Sequence, residues 1–541
     1  MEIFKIQSLT YYYPESEFPA IKDISLTIKE GELIFLAGLS GSGKSSFLKA
    51  LAGLLPEFYG GRIGGNIEYK GNNLRDWDKR RLPTEIGIVF QDPEKQVCMT
   101  VVEHEVAFGL ENLGIPRNEM HHRVAEVLSM LDLMELRERS IFELSSGQKQ
   151  RVILASVLAM HPKVLILDEP TSQLDPIAAN EFLDYLHRLN REWGTTIILS
   201  EQRVERCFDM ADKVFVMHEG GIIYSGTPEE LVRKPDKDLE IFYPPISRMF
   251  RAANMPFIPI SVKEGREIIG KQLRVSGEYL SSFSQDNIDR YEDVVVDIKK
   301  LRFSYPKQPF ALDIIDFEAY KGEVISILGE NGAGKSTLLK LISRILEPRA
   351  GNISVLGNVG YLSQDPSDYL LSEKVYEQLL FALELKGIKE SGQIDDILKR
   401  LQLYRYKDQN PRDLSSGEMQ RVAIATVMVS DPKIILMDEP TRGMDNLVKE
   451  ELIAIIDSLA KEDRCIIVVT HDIEFVAELS HRVIIMADGE IIIDGDMHEV
   501  IGSSFYYSTQ VSRLFKNIDP HIIKVDEGAR MLREYIVERK T

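Results

Sequence analysis

The chain has 541 residues, too many for one compact domain and enough for two large ones with a remainder. Apolar residues at 44% and charged residues at 28% describe a globular protein rather than a disordered one. A formal net charge of -20 argues against nucleic acid as a partner, which would call for a basic face. Cys98, Cys207 and Cys465 lie far apart with no CxxC spacing, which argues against a disulfide framework and a zinc site and for a reducing compartment. No apolar run approaches the roughly 18 residues that span a bilayer. The amino terminus carries acids early and lacks a signal-peptide core. Any membrane role is expected to be peripheral, through a partner.

In chain order, Glu2 to Tyr13 alternates as a strand does and stops at Pro14. A counterpart, VVVDIKKLRFSYP, stops at Tyr305 and Pro306. Next comes a strand, Leu33 to Gly38, then a glycine-rich turn and a helical pattern. Val324 to Gly329 opens the matching segment. The first turn reads Gly38, Leu39, Ser40, Gly41, Ser42, Gly43, Lys44, Ser45. The second reads Gly329, Glu330, Asn331, Gly332, Ala333, Gly334, Lys335, Ser336. Both fit GxxxxGK(S/T) between a strand and a helix, with Ser46 and Thr337 continuing into the helix. Backbone N–H groups in such a loop converge on phosphate oxygens, and the helix start adds its positive dipole end. Lys44 and Lys335 are placed to reach the β- and γ-phosphates of a nucleotide, and Ser45 and Ser336 to offer a hydroxyl to Mg²⁺. Two chance glycine turns would not recur in register with the same flanking elements.

From lysine to the next shared landmark the copies differ: Lys44 to Gln91 is 47 residues and Lys335 to Gln364 is 29. The extra residues include Gly60, Gly61, Gly64 and Gly65. With no lysine and helix following, these read as hairpin turns and not as a third phosphate loop. The copies converge again on VFQDP and LSQDP.

The most constrained stretch follows. Leu144–Asp175 reads LSSGQKQRVILASVLAMHPKVLILDEPTSQLD, and Leu414–Asp445 repeats it as LSSGEMQRVAIATVMVSDPKIILMDEPTRGMD. From Ser145 to Asp168 and from Ser415 to Asp438 the spacing is 23 residues. Val164–Leu167 and Ile434–Met437 are continuous apolar runs, as buried parallel strands require. Asp168 and Asp438 at their ends are placed to hold Mg²⁺ through water, and Glu169 and Glu439 to polarise an attacking water. Adjacent acids are usually a solvated turn; the apolar strand and the upstream phosphate loop favour chemistry here. Ser145, Ser146, Gly147 and Gln148, and likewise Ser415, Ser416 and Gly417, open helices and can present donors to a phosphate.

These motifs resemble the signature and Walker B elements of ATP-binding cassette (ABC) ATPases, present twice. The resemblance implies α/β architecture: two P-loop NTPase domains in tandem, each with a helical subdomain and a small C-terminal helical extension. It places the cassettes at 1–235 and 294–500, with extensions at 236–293 and 501–541. It implies ATP and Mg²⁺ as cofactors, with both ATP sites formed within one chain by one half's lysine loop and the other half's signature loop. Gln91 and Gln364 match the Q-loop, which holds the Mg²⁺–water shell. Tyr13 and Tyr305 match the A-loop tyrosine that stacks on adenine, although aromatics beside strands are often core. The D-loop carboxylates Asp175 and Asp445 fall at the shared seam. His471 matches the switch histidine that contacts the γ-phosphate. In the first half either Gln202 or Glu201 falls there, depending on a one-residue slide, and neither is histidine. The second signature also departs, with Glu418 where the first has Gln148. Both departures fall on the site that uses Lys44, so unequal sites are expected, with Glu439 and His471 the stronger catalytic pair and Glu169 the weaker.

GLLPEFYGGRIGGNI, VFQDPEKQ, VEHEVAFGLENLGIP and DEPTRGMD are similar to the tandem ATPase of energy-coupling factor (ECF) importers. This implies a peripheral protein on the cytoplasmic face of the cell membrane, bound to an integral membrane scaffold subunit and a separate substrate-binding membrane subunit. The alternative is a soluble tandem-cassette ATPase acting on ribosomes. Such proteins carry a charged helical arm between cassettes, whereas here PISRMFRAANMPFIPISVKEGREIIG is echoed by QVSRLFKNIDPHIIKVDEGARMLREY after the second cassette.

Overall fold

The buried parallel strands fold as their composition requires. In the first half, Leu33–Gly38, Val164–Asp168 and Thr196–Ser200 are almost wholly buried and take the centre of a six-stranded sheet. Its order is Gly221–Gly226, Lys213–His218, Leu33–Gly38, Thr196–Ser200, Val164–Asp168, Ile86–Val89. All neighbours are parallel except the first pair, which is an antiparallel hairpin. Each fully buried valine, leucine or isoleucine in these strands contributes on the order of 2 kcal/mol. The second half repeats the arrangement as Val359–Leu362, Ile434–Asp438, Cys465–Val469, Val324–Gly329, Arg482–Ala487, Glu490–Asp496.

An antiparallel sheet accompanies each: Ile21–Lys29, Glu2–Tyr12, Arg62–Tyr69 and Asn72–Asn73 in the first half, and Phe310–Tyr320, Val294–Ser304 and Ala350–Val355 in the second. Gly64 and Gly65, read from sequence as turn residues, lie inside the strand Arg62–Tyr69. They face a bulge in Glu2–Tyr12, where pairing shifts between Gln7 and Thr10. Gly65 has φ +79° there, and a Cβ on it would stand 2.3 Å from the Ser8 carbonyl oxygen. Gly65 is therefore a bulge device and not a hairpin turn. Helices Val102–Asn112, Arg117–Met130 and Ser146–Leu158 form the helical layer of the first half, and Val375–Leu385, Gln393–Arg400 and Ser416–Met428 that of the second.

The computed structural model describes residues 1–275, 292–306, 310–365 and 369–538. The expected segment 236–293 thus includes 276–291, and the expected extension 501–541 includes 539–541, outside the described residues. The chain divides into two units: Met1–Arg248 with Pro256–Ser261, and Met249–Met255 with Val262–Thr541. Part of the segment that trails the first cassette therefore belongs to the second unit. There, Leu273–Val275 pairs antiparallel with Ile536–Glu538, and the Arg266 guanidinium donates to the Arg513 carbonyl at 2.5 Å.

Candidate functional site

Both phosphate loops are held by glycine. Gly43 (φ +100°) and Gly334 (φ +96°) precede helices Lys44–Leu51 and Lys335–Ile342 in left-handed conformation. A Cβ at Gly43 would lie 2.3 Å from the Ala20 carbonyl oxygen, and one at Gly334 2.5 Å from that of Ala311. Only glycine fits either position. Each lysine ammonium turns back on its own loop. Lys44 donates to the carbonyls of Gly38 (2.8 Å) and Leu39 (3.1 Å), and Lys335 to those of Gly329 (2.8 Å) and Glu330 (2.7 Å).

The two acids at the strand ends divide sharply in conformation. Asp168 and Asp438 finish their strands, while Glu169 (φ 47°) and Glu439 (φ 50°) turn into the left-handed region, a strained choice for a glutamate. That turn sets the two carboxylates in different directions. In the second unit the Ser336 hydroxyl bonds Asp438, and burial lifts that carboxyl above its ordinary range against the pull of Ser336 and Lys335. His471 Nε2 stands 3.1 Å from Glu439 Oε1 and 3.1 Å from Asn331 Oδ1. A cavity of about 380 Å³ gathers Tyr305, Lys335, Ser336, Gln364, Asp438, Glu439 and His471. Serine hydroxyl, carboxylate and glutamine amide oxygen are the hard oxygen donors that Mg²⁺ takes, so the residues present fit that ion. The Tyr305 hydroxyl lies 3.3 Å from Thr337 Oγ1, and the Tyr13 hydroxyl 3.0 Å from Ser46 Oγ, so each tyrosine flanks the helix that begins at its lysine.

The first unit brings the same residue types together with different contacts. Glu169 accepts from the Gln91 amide (2.8 Å) and from the Gln202 amide (3.1 and 2.9 Å), with the Lys44 ammonium 3.9 Å away. Burial, joined by Asp168 and Glu201, pushes its carboxyl up to about 7 against the pull of Lys44. Sheet register decides the one-residue slide left open by sequence. Asp168 pairs with Ser200 and Asp438 with Val469, so Gln202 and not Glu201 takes the place of His471. Glu201 is buried and accepts from the Thr171 N–H at 2.8 Å. Sequence reasoning missed Ser200, whose hydroxyl donates to Asp168 at 2.8 Å, and Asn331 as a partner of His471. Only strand pairing exposes the first.

The signature serines are helix caps. The Ser145 N–H donates to Gln148 Oε1 (3.0 Å) and the Gln148 N–H to Ser145 Oγ (3.3 Å); Ser415 and Glu418 repeat this box. Ser146 and Ser416 begin the helices. A Cβ at Gly147 would approach that of Ala178 to 3.2 Å. Asp175 and Asp445 cap the following helices, accepting from the N–H groups of Ala178 and Val448.

The ABC transporter family profile matches residues 21–172 and 312–442, more than half of the chain. The chain belongs to the ABC transporter family. This ABC protein is 40% identical over 430 residues to a provisionally named ABC transporter ATP-binding protein of Clostridium tetani, covering 77% of this chain and 96% of that protein. It is 36% identical over 539 residues to one from Bacillus cereus, covering 96% of both. Among solved structures it shares its fold with the RNase-L inhibitor, at 23% identity and TM-score 0.59, over 96% of this chain and 95% of that one. It is therefore a tandem ABC ATPase that hydrolyses ATP with Mg²⁺. No helix among the described residues is long and apolar enough to cross a membrane.

Proposed function

We propose that this ABC ATPase is the energy-coupling subunit of an ECF-type importer, peripheral on the cytoplasmic face of the membrane. Its partners would be an integral scaffold subunit and a separate substrate-binding membrane subunit, with no nucleic acid involved. The observation that carries this reading is its match, over nearly full length, to proteins named as ABC transporter ATP-binding proteins. The local patterns around Gly60, Gln91 and Glu105 support the ECF assignment.

Two nucleotides would lie between the cassettes, each meeting one lysine loop and the opposing signature loop. Lys335 exchanges its loop carbonyls for phosphate oxygens, and His471 donates to the γ-phosphate. Glu439 aligns and polarises the attacking water, and Ser145 with Gly147 donates from the other side. Mg²⁺, when bound, neutralises phosphate charge; Ser336, Asp438 and Gln364 would hold it in one site, and Ser45, Asp168 and Gln91 in the other. Tyr305 and Tyr13 are the stacking surfaces for adenine. Loss of the γ-phosphate removes the bridge and lets the halves part, which is the movement passed to the membrane subunits.

The sites are unequal in this reading. Gln202 cannot carry the positive charge that histidine can. Purification from detergent-solubilised membranes tests the assignment: polytopic membrane subunits should co-purify in fixed ratio. Recovery on ribosomes instead would overturn it.

A further inference from the structure

The capping boxes of the two signature loops differ by one hydrogen bond. In the second, the Ser415 hydroxyl donates to Glu418 Oε2 at 2.7 Å, and the same oxygen accepts the Ser415 N–H at 3.0 Å. In the first, Gln148 Oε1 accepts only the Ser145 N–H, and among the described residues the Ser145 hydroxyl proton has no acceptor. A hydroxyl has one proton to give. A carboxylate takes it in a charge-assisted bond roughly twice as strong as a neutral one.

The surroundings of Glu418 are built for that charge. The short helical turn Tyr404–Tyr406 brings Arg405 to 3.9 Å and sets the Tyr406 phenol against the carboxylate. Burial would lift the Glu418 carboxyl, but hydrogen bonds from Tyr406 and Ser415 outweigh it and hold the group below its ordinary range. The matching turn of the first cassette, Met134–Leu136, has Glu135 and Leu136 at those places. Cation, phenol and acid thus occur together on one cassette, and neutral amide with neither on the other.

We propose that Glu418 is a positioning residue that withholds the second signature serine from phosphate by taking its hydroxyl proton. This rests on the reading that each signature loop faces the opposing cassette's nucleotide. Toward a γ-phosphate, Ser145 can donate at once, whereas Ser415 must first leave Glu418. The site that uses Lys44 is therefore held back from two directions, by Gln202 on its own cassette and by Glu418 on the other.

The test compares steady-state ATPase rates of the full chain at saturating MgATP. In a Glu439→Gln background, Glu418→Gln should raise the remaining rate roughly tenfold, the scale of one charge-assisted hydrogen bond. Glutamine keeps the cap, as Gln148 does, so the loop should still form. With Ser415→Ala also present, Glu418→Gln should change nothing, because no proton is left to withhold. The mirror change, Gln148→Glu, should slow the otherwise unsubstituted chain by a similar factor. An unchanged or lower rate on Glu418→Gln, an equal gain with and without Ser415, or an unchanged rate on Gln148→Glu would each overturn the proposal. If Glu439→Gln alone keeps half or more of the rate, it is the unequal-site reading that fails. The Ser415 comparison is then made in the otherwise unsubstituted chain, where it still decides the role of Glu418.

Discussion

Gln202 and His471 stand at one register of two duplicated sheets, each two residues beyond the partner of its strand-end aspartate. Each also contacts the glutamate that follows that aspartate, Gln202 at 2.9 Å and His471 at 3.1 Å. What differs is the capacity to carry charge. Restoring it with Gln202→His should raise turnover at the site that uses Lys44 by roughly a hundredfold, the lower end for one donor to a transition-state charge. The rate left in a Glu439→Gln chain measures this. Glu439→Gln itself should leave well under half of the wild-type rate.

Within one phosphate loop, two glycines should respond differently to alanine. Gly332 has φ +91° with open space around it, so Gly332→Ala should cost only the left-handed strain, about 1 to 2 kcal/mol. Gly334 adds a 2.5 Å collision with backbone, so Gly334→Ala must displace the strand Phe310–Tyr320 or the loop. Its midpoint in denaturant should fall further, and MgATP binding at Lys335 should be lost. Equal effects from the two would show that the loop absorbs the collision.

The repeated motifs made both phosphate loops, both acid pairs and both signature turns legible, because local spacing alone fixes them. Gln202 was ambiguous with Glu201 since a loop can slide by one residue, and only the pairing of Asp168 with Ser200 removes the slide. Gly65 looked like a turn residue because a bulge uses the same left-handed glycine that a hairpin does. The unit to which Met249–Met255 belongs was illegible, since it depends on contacts with residues more than 250 positions later.

Acid should loosen the C-terminal helix Val525–Tyr535. Glu527 accepts from the N–H groups of Ile523 (2.9 Å) and Lys524 (3.0 Å), and His498 Nε2 lies 2.9 Å from its other oxygen. Burial would raise this carboxyl, but those bonds outweigh it and hold it below the ordinary glutamate range. A depressed carboxyl contributes stability above its unfolded value that is lost as pH falls through the folded one. Protection of this helix against hydrogen exchange, corrected for the intrinsic pH dependence of amide exchange, should therefore hold from neutral pH down to the ordinary carboxylate range and fall below it. Glu527→Gln should lower that protection at neutral pH and flatten its fall in acid.

Deleting residues 505–541 removes the strand that pairs with Leu273–Val275 and the carbonyl that Arg266 reaches. Separately expressed halves should then associate more weakly without nucleotide, measured by sedimentation. Unchanged association would show that the extensions do not join the halves.

Gly528 is hemmed in: a methyl group there would lie 2.2 Å from the Met249 sulfur and 3.0 Å from the Phe515 ring. The stretch that trails the first repeat is thus keyed to a seat in the second, and the two can only change in step. Fusion on one polypeptide then does more than fix stoichiometry. It lets the repeats diverge into non-interchangeable members, because every copy is made together with the same mate.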